Sequence, residues 1–256
     1  MSPSADLAVT RDGAVAVIEL RRAPHNFVSV ALLRDLADVL AGLDADDECR
    51  GVVLCSGLKA FSAGADFSGP GDVGEVPDPS PIYAQAMRLF RNAKPIVAAV
   101  EGAAIGAGLG LALVADFRIA TSAARFSAAF ARLGFHPGFG LSVTLPRLVG
   151  EQKAALLMYT GRRIGGDEAL AIGLVDELVP EGAAKDRALA LAHEIATSAP
   201  LAVESIRATL RLGLAERIAA ANQRELSIQH EQFRTDDFRE GIAAAAERRQ
   251  PAFRRR

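Results

Sequence analysis

Few side chains in this sequence join a reactive type to a setting in which it can react. His136 stands in "FHPG", and an imidazole changes charge near neutrality, which suits a general base. A lone histidine between Phe135 and Pro137 nevertheless fits a satisfied structural place more readily than a catalytic one. Gly140-Leu141-Ser142 has the opening of a nucleophile elbow without its second glycine. Asp66, Asp72 and Glu75 fall in "LKAFSAGADFSGPGDVGEVPDPSP", a stretch so dense in Gly, Pro and Asp that it predicts a long loop, and long loops in compact domains are commonly functional. Tyr83 follows on the next helical segment. Cys49 and Cys55 have no histidine near them in sequence, and the run "GVVLC" reads Cys55 as a buried strand residue rather than a nucleophile.

The elements that must position such groups centre on "AIGAGLGLALVAD", residues 104 to 116, and the twenty residues from Ile96 to Ala115 carry a single charge, Glu101. Its Gly-xxx-Gly spacings would suit a dimerising membrane helix. Pro95, Glu101 and the β-branched Ile96, Val97 and Val100 followed by small residues fit better a buried strand, a tight turn and a buried helix. Upstream, Arg11-Asp12-Gly13 joins two β-rich runs as a hairpin, and Ser29 is placed to cap a helix with an apolar stripe at Val30, Leu33, Leu36, Val39, Leu40 and Leu43. Strand, loop and helix then recur up to an exit strand near residue 180, after which four helical segments carry almost no strand signal.

A chain of 256 residues suits one large α/β domain with at most a small appendage. We divide it into a core, residues 1–180, and a helical region, residues 181–256. A net charge of −2 gives no global attraction to nucleic acid or anionic membrane, so an anionic ligand needs a local cluster of cations. The basic end "ERRQPAFRRR" is one such cluster, or a solvated terminus. Two cysteines are too few for a disulfide framework and the opening residues lack signal-peptide character, so the expected place is the cytoplasm.

"KAFSAGADFS" together with "AAVEGAAIGAGLGLALVADFRIA" resembles the crotonase (enoyl-CoA hydratase/isomerase) superfamily in order and spacing. "RRAPHNFVSVALLRDL" and "LPRLVGEQKAALLMYTGRRIGGDEALAIGLVDELV" extend the likeness from about Val15 to Phe253. The resemblance implies an α/β core of repeated ββα units, C-terminal helices that assemble a homotrimer or a dimer of trimers, and an acyl-CoA thioester as ligand. Coenzyme A then enters as part of the substrate, with no other cofactor and no metal. It further implies that the backbone amides of Ala65 and Ala107 form an oxyanion hole, with Gly106 and Gly108 giving clearance. Around it the resemblance places Ala63, Asp66 and Phe67 against the substrate and Arg22, Ala23, Lys59 and Arg248 near the CoA moiety.

The family's hydratases hold their water with two glutamates, and this chain has Gly110 and Phe130 at those positions. Other branches take an acid or base from the residue after the Pro of "LGFHPG", which here is Gly138. The resemblance therefore implies an acyl-CoA enzyme of lyase or isomerase class with an unorthodox acid or base, His136 being the candidate, or a catalytically silent acyl-CoA-binding homologue. It also leads us to expect that glutamates returned to positions 110 and 130 restore hydration.

Overall fold

The computed structural model describes residues 5–65 and 77–256. Asp66, Phe67, Asp72 and Glu75 lie outside the described residues. β1 (Leu7–Asp12) and β2 (Val15–Leu20) form the expected hairpin, with Gly13 at φ +56° in the two-residue turn. Ser29 caps α1 (Val30–Asp44), its hydroxyl accepting from the Leu32 amide at 3.1 Å. Leu33, Leu36, Leu40 and Leu43 are buried as their spacing predicts, joined by Leu32 and Ala37. Val30 departs from the stripe: it is exposed and lines a cavity.

β3 (Gly51–Ser56), α2 (Ser80–Leu89) and β4 (Ile96–Val100) follow. The glycine-rich stretch then resolves into a short β5 (Ala103–Ile105) and a six-residue α3 (Ala107–Ala112). Among the described residues no helix is long and apolar enough to cross a membrane. β6 (Phe117–Thr121), β7 (Arg125–Ser127), a 3-10 turn at Ala129–Leu133, α4 (Leu141–Val149), α5 (Glu151–Thr160), β8 (Ile164–Gly165), α6 (Gly166–Ala171) and β9 (Glu177–Val179) complete the core. The C-terminal helices are α7 (Ala184–Ala196), α8 (Pro200–Leu210), α9 (Leu214–Gln232) and α10 (Asp236–Ala246).

The main sheet has the order β1-β2-β3-β4-β6-β9, parallel throughout except for the β1–β2 hairpin; β5, β7 and β8 form a second, small sheet. Parallel strands covered on both faces need apolar residues of both parities. Here Ala16, Ile18, Val52, Leu54, Ala98 and Val100 face the large core, while Val15, Val17, Val53, Cys55, Val97 and Ala99 face α7. α7 meets them with Ala184, Ala188, Ala192 and Ala196, a fourfold spacing whose small side chains let the helix approach the sheet closely. Its apolar face is therefore used within its own chain. Burial also pushes the Cys55 thiol up to about 11, which leaves it protonated and unreactive.

Two carboxylates tie the layers by capping helices from a distance. Glu101, the lone charge of the glycine-rich stretch, accepts from the Ala184 amide at 3.0 Å at the start of α7. Buried Glu225 of α9 accepts from the amides of Gly140 and Ser142 and from the Ser142 hydroxyl. Ser142 is thus a donor at the start of α4, not a nucleophile. Its bonds pull the Glu225 carboxyl toward ionisation, but burial outweighs them and raises it.

The basic C-terminal end docks on α10: Arg254 and Arg255 amides donate to Asp237, the Ala252 amide donates to Glu240, and Arg249 grips Glu240 with two nitrogens. Arg249 and the Ala252 amide lower the Glu240 carboxyl from 4.5 to about 2. A depressed carboxylate stabilises the docked form above its ordinary value and loses that contribution as pH falls through the lowered one. Protection of the Ala252 amide, its exchange rate relative to that of an unstructured amide at the same pH, should accordingly fall as pH drops from 4.5 to about 2 and be low throughout that range in Glu240→Gln; protection that persists at the acid end would contradict this.

Candidate functional site

Two backbone segments meet at the centre of the site, and each is fixed by its hydrogen bonds. The segment 62–65 is laced to β5, with the Ser62 amide donating to Ala103 O at 2.9 Å and Ser62 O accepting from the Ile105 amide at 3.0 Å. On its other side the Ala63 amide donates to His25 O, Gly64 O accepts from the Val28 amide, and the Ser62 hydroxyl donates to Asn26 O. Gly64, at φ +87°, passes so close to β5 that a Cβ there would lie 2.6 Å from Ile105 O and 3.5 Å from the Ala107 nitrogen. Gly106, at φ +56° and ψ −119°, turns the chain into α3 in a conformation that favours glycine.

Among the described residues neither the Ala65 amide nor the Ala107 amide donates to an acceptor. Ala107 is the first residue of its helix, where an N–H has no partner within the helix. Since α3 has only six residues, it is this unpaired group, rather than a summed helix dipole, that the site offers a ligand.

Both alanines line a cavity of about 580 Å³. Its mouth is marked by Arg22, exposed Val30, Pro77 and Asp78; its interior is walled by Val28, Ile82, Tyr83, Phe130, Phe135 and Phe233. Phe135 stands edge-on to Phe130 at 5.5 Å and to Phe233 at 4.9 Å, an apolar wall suited to an acyl group. At the mouth, Asp78 accepts from the Ser80 hydroxyl and amide and lies 3.1 Å from His230 Nε2. These contacts, the Ser80 hydroxyl first, hold its carboxyl below the usual range. The Ser80 hydroxyl donates its hydrogen to Asp78 and not to His230 Nε2, 3.4 Å away, so this Ser-His-Asp group is not arranged to activate the serine as a nucleophile.

Arg22, Ala63, Ala65, Gly106, Ala107 and Phe130 are brought together in the lining. Ala23, Lys59, Gly110, His136, Gly138 and Arg248 are not among the residues that line it. Phe139 covers Gly110, since a Cβ there would lie 2.7 Å from its ring. Tyr83 covers Gly138, whose Cβ would lie 1.9 Å from the Tyr83 hydroxyl. His136 is turned into a pinned loop: its amide donates to Gln232 Oε1 at 2.6 Å, its carbonyl accepts from Gln229, and its Nδ1 is 2.7 Å from Pro137 O. Lys59 and Arg248 are exposed. Phe233 and Phe135 were not singled out in sequence. Phe233 gives no local signal, because it reaches the cavity from the end of α9.

The model of the family described as "Enoyl-CoA hydratase/isomerase" matches residues 10–256. A short-chain-enoyl-CoA hydratase of Clostridium acetobutylicum is 33% identical over 250 residues, covering 95% of each protein. A carnitinyl-CoA dehydratase of Escherichia coli O157:H7 is 31% identical over 261 residues, covering 99% of this chain and 100% of the relative. The crystal structure of an enoyl-CoA hydratase/isomerase from Pseudoalteromonas atlantica superposes with a TM-score of 0.87 at 32% identity, covering 97% of this chain and 100% of that one.

Proposed function

The chain belongs to the enoyl-CoA hydratase/isomerase family, and from that premise we propose that its cavity receives an acyl-CoA thioester with the carbonyl oxygen on the Ala65 and Ala107 amides. The observation that carries this reading is the pair of N–H groups without an acceptor among the described residues, set on fixed backbone in the wall of an apolar cavity. Donors held in place before the substrate arrives cost no reorganisation as negative charge gathers on that oxygen, and each is worth about 2.7–4 kcal/mol to an enolate-like state. The Arg22 guanidinium at the mouth suits the CoA phosphates, with the exposed Lys59 and Arg248 as the further cations that the family resemblance assigns to them.

Gly110 and Phe130 supply no carboxylate, so the reaction is not hydration by a glutamate pair. Among the described residues lining the cavity, Tyr83 is held neutral because burial pushes its hydroxyl above the ordinary tyrosine range, and Asp78, held below the usual carboxylate range, is the one carboxylate that can act as a base. An acyl-CoA enzyme that forms an enolate without a buried glutamate is the first reading. A silent acyl-CoA-binding homologue is the second, favoured by the filling of both positions 110 and 138 by aromatic side chains. We further propose that the exposed Leu201, Ile206, Leu210 and Leu212 are covered by copies of this chain in a trimer or dimer of trimers. A monomer mass at micromolar concentration would overturn that.

The test of the site is calorimetric titration with butyryl-CoA and with S-butyl-CoA, its thioether lacking the carbonyl. Two net hydrogen bonds of about 1 kcal/mol each make the thioester bind roughly thirtyfold more tightly. Equal affinity would remove the carbonyl from the account.

A further inference from the structure

One buried side chain in the lining of the cavity, Tyr83, is held firmly. Along the lining from Pro77 to Tyr83 the residues pass from exposed Pro77 and Asp78, through half-buried Pro79 and Ile82, to Tyr83 at 6% exposure. The Tyr83 hydroxyl donates to Gln229 Oε1 at 3.0 Å. Gln229, fully buried, donates through Nε2 to His136 O at 2.7 Å, which fixes which end of its amide faces the tyrosine. If the ring swung away, it would strand a buried acceptor and its own hydroxyl, so the ring stays. Behind the hydroxyl is backbone: a Cβ on Gly138 would fall 1.9 Å from it and 2.8 Å from Gln229 Nε2. Glycine at 138 is what leaves room for the ring.

Resting on the acyl-CoA reading of this cavity, we propose that Tyr83, braced by Gln229 and admitted by Gly138, ends the acyl-binding space and sets the longest acyl group the protein takes. An acyl chain whose carbonyl lies at Ala65 and Ala107 shares the cavity with Phe130, Phe135, Phe233 and the tyrosine ring, and on this proposal the tyrosine ring is where it stops. Its preferred ligand is a short or compact acyl thioester. Tyr83 acts here by shape and position, and no proton transfer is assigned to it.

The experiment measures dissociation constants for straight-chain saturated acyl-CoAs from acetyl to decanoyl against wild type, Tyr83→Phe, Tyr83→Leu, Tyr83→Ala and Gly138→Ala, with thermal melts on each. In wild type, affinity should rise by about fourfold per methylene up to a turning point and fall beyond it. Tyr83→Phe keeps the ring and should keep the turning point. Tyr83→Leu and Tyr83→Ala should move it to longer chains, and Gly138→Ala, which presses on the hydroxyl, should move it to shorter ones. A merely structural tyrosine would lower the melting temperature without moving the turning point, and a turning point shared by wild type and the folded variants overturns the proposal. Wild type that binds acyl-CoAs with no turning point also overturns it while leaving the acyl-CoA reading intact. Wild type that binds none of them overturns both.

Discussion

Wild-type protein should bind crotonyl-CoA and hydrate it little faster than water does, and Gly110→Glu with Phe130→Glu should leave that rate unchanged. The first half follows from the missing acid and base groups, each worth about 10² to 10⁴ in rate. The second half corrects the expectation drawn from sequence. A Cβ at position 110 would lie 2.7 Å from two atoms of the Phe139 ring and 2.8 Å from its Cβ, so a glutamate has nowhere to start. Phe139 is fully buried and stands edge-on to Phe90, so its ring has no free space to step into. Position 130 lines the cavity and can present a carboxyl, but beside Phe135 the apolar wall would raise its pKa. Hydration should rise a hundredfold or more, roughly the worth of one positioned group, only in a triple variant that adds Phe139→Ala. Loss of the enoyl absorbance measures all of these, with melts to verify folding. Brisk wild-type hydration would show that Asp78 or another group supplies the base.

The second large effect concerns the two segments that carry the amides. Gly108→Ala should destabilise the protein by about 1–3 kcal/mol, the usual cost of overpacking, and should weaken acyl-CoA binding as well. Its Cβ would lie 2.2 Å from Ser62 O, and Ser62 cannot retreat because its amide, carbonyl and hydroxyl are all engaged. The segment 62–65 must then move away from α3, separating the Ala65 amide from that of Ala107. Gly42→Ala is the matched control. Gly42 lies exposed within α1 with nothing near its missing Cβ, so the same substitution should stabilise by about 0.5–1 kcal/mol. Thermal melts on both variants decide it, at roughly 2–4 °C per kcal/mol for a chain of this size. Two shifts of the same sign would contradict the packing argument.

Much of the architecture was legible because it is written in local periods. Ser29 and the leucine stripe specify α1, Gly13 specifies the hairpin, and the apolar runs specify buried parallel strands. Val30 misled for an instructive reason: it keeps the helical period but faces the cavity, so its apolar character serves a ligand rather than the core. The amides at 65 and 107 were implied by the family resemblance, and both residues line the cavity. What fills the space around them was not, because Phe139, Tyr83 and Phe233 arrive from separate elements and their contacts depend on tertiary distance. Gly110 and Gly138 read in the sequence only as positions without an acid or base, and the aromatic side chains that pack against them could not be seen there.

The central claim is that the two amides hold the thioester carbonyl, and its most direct test is the infrared stretch of that carbonyl, isotope-labelled in butyryl-CoA, on binding. Hydrogen bonds from both amides draw electron density onto the oxygen and weaken the C=O bond, so the band should move to lower frequency in wild type. Ala107→Pro removes one donor at the first helical position, where proline is tolerated. It should give back part of that shift while CoA itself still binds. A carbonyl band that stays at its solution frequency in saturated wild-type protein, or a shift that Ala107→Pro leaves whole, would contradict the assignment.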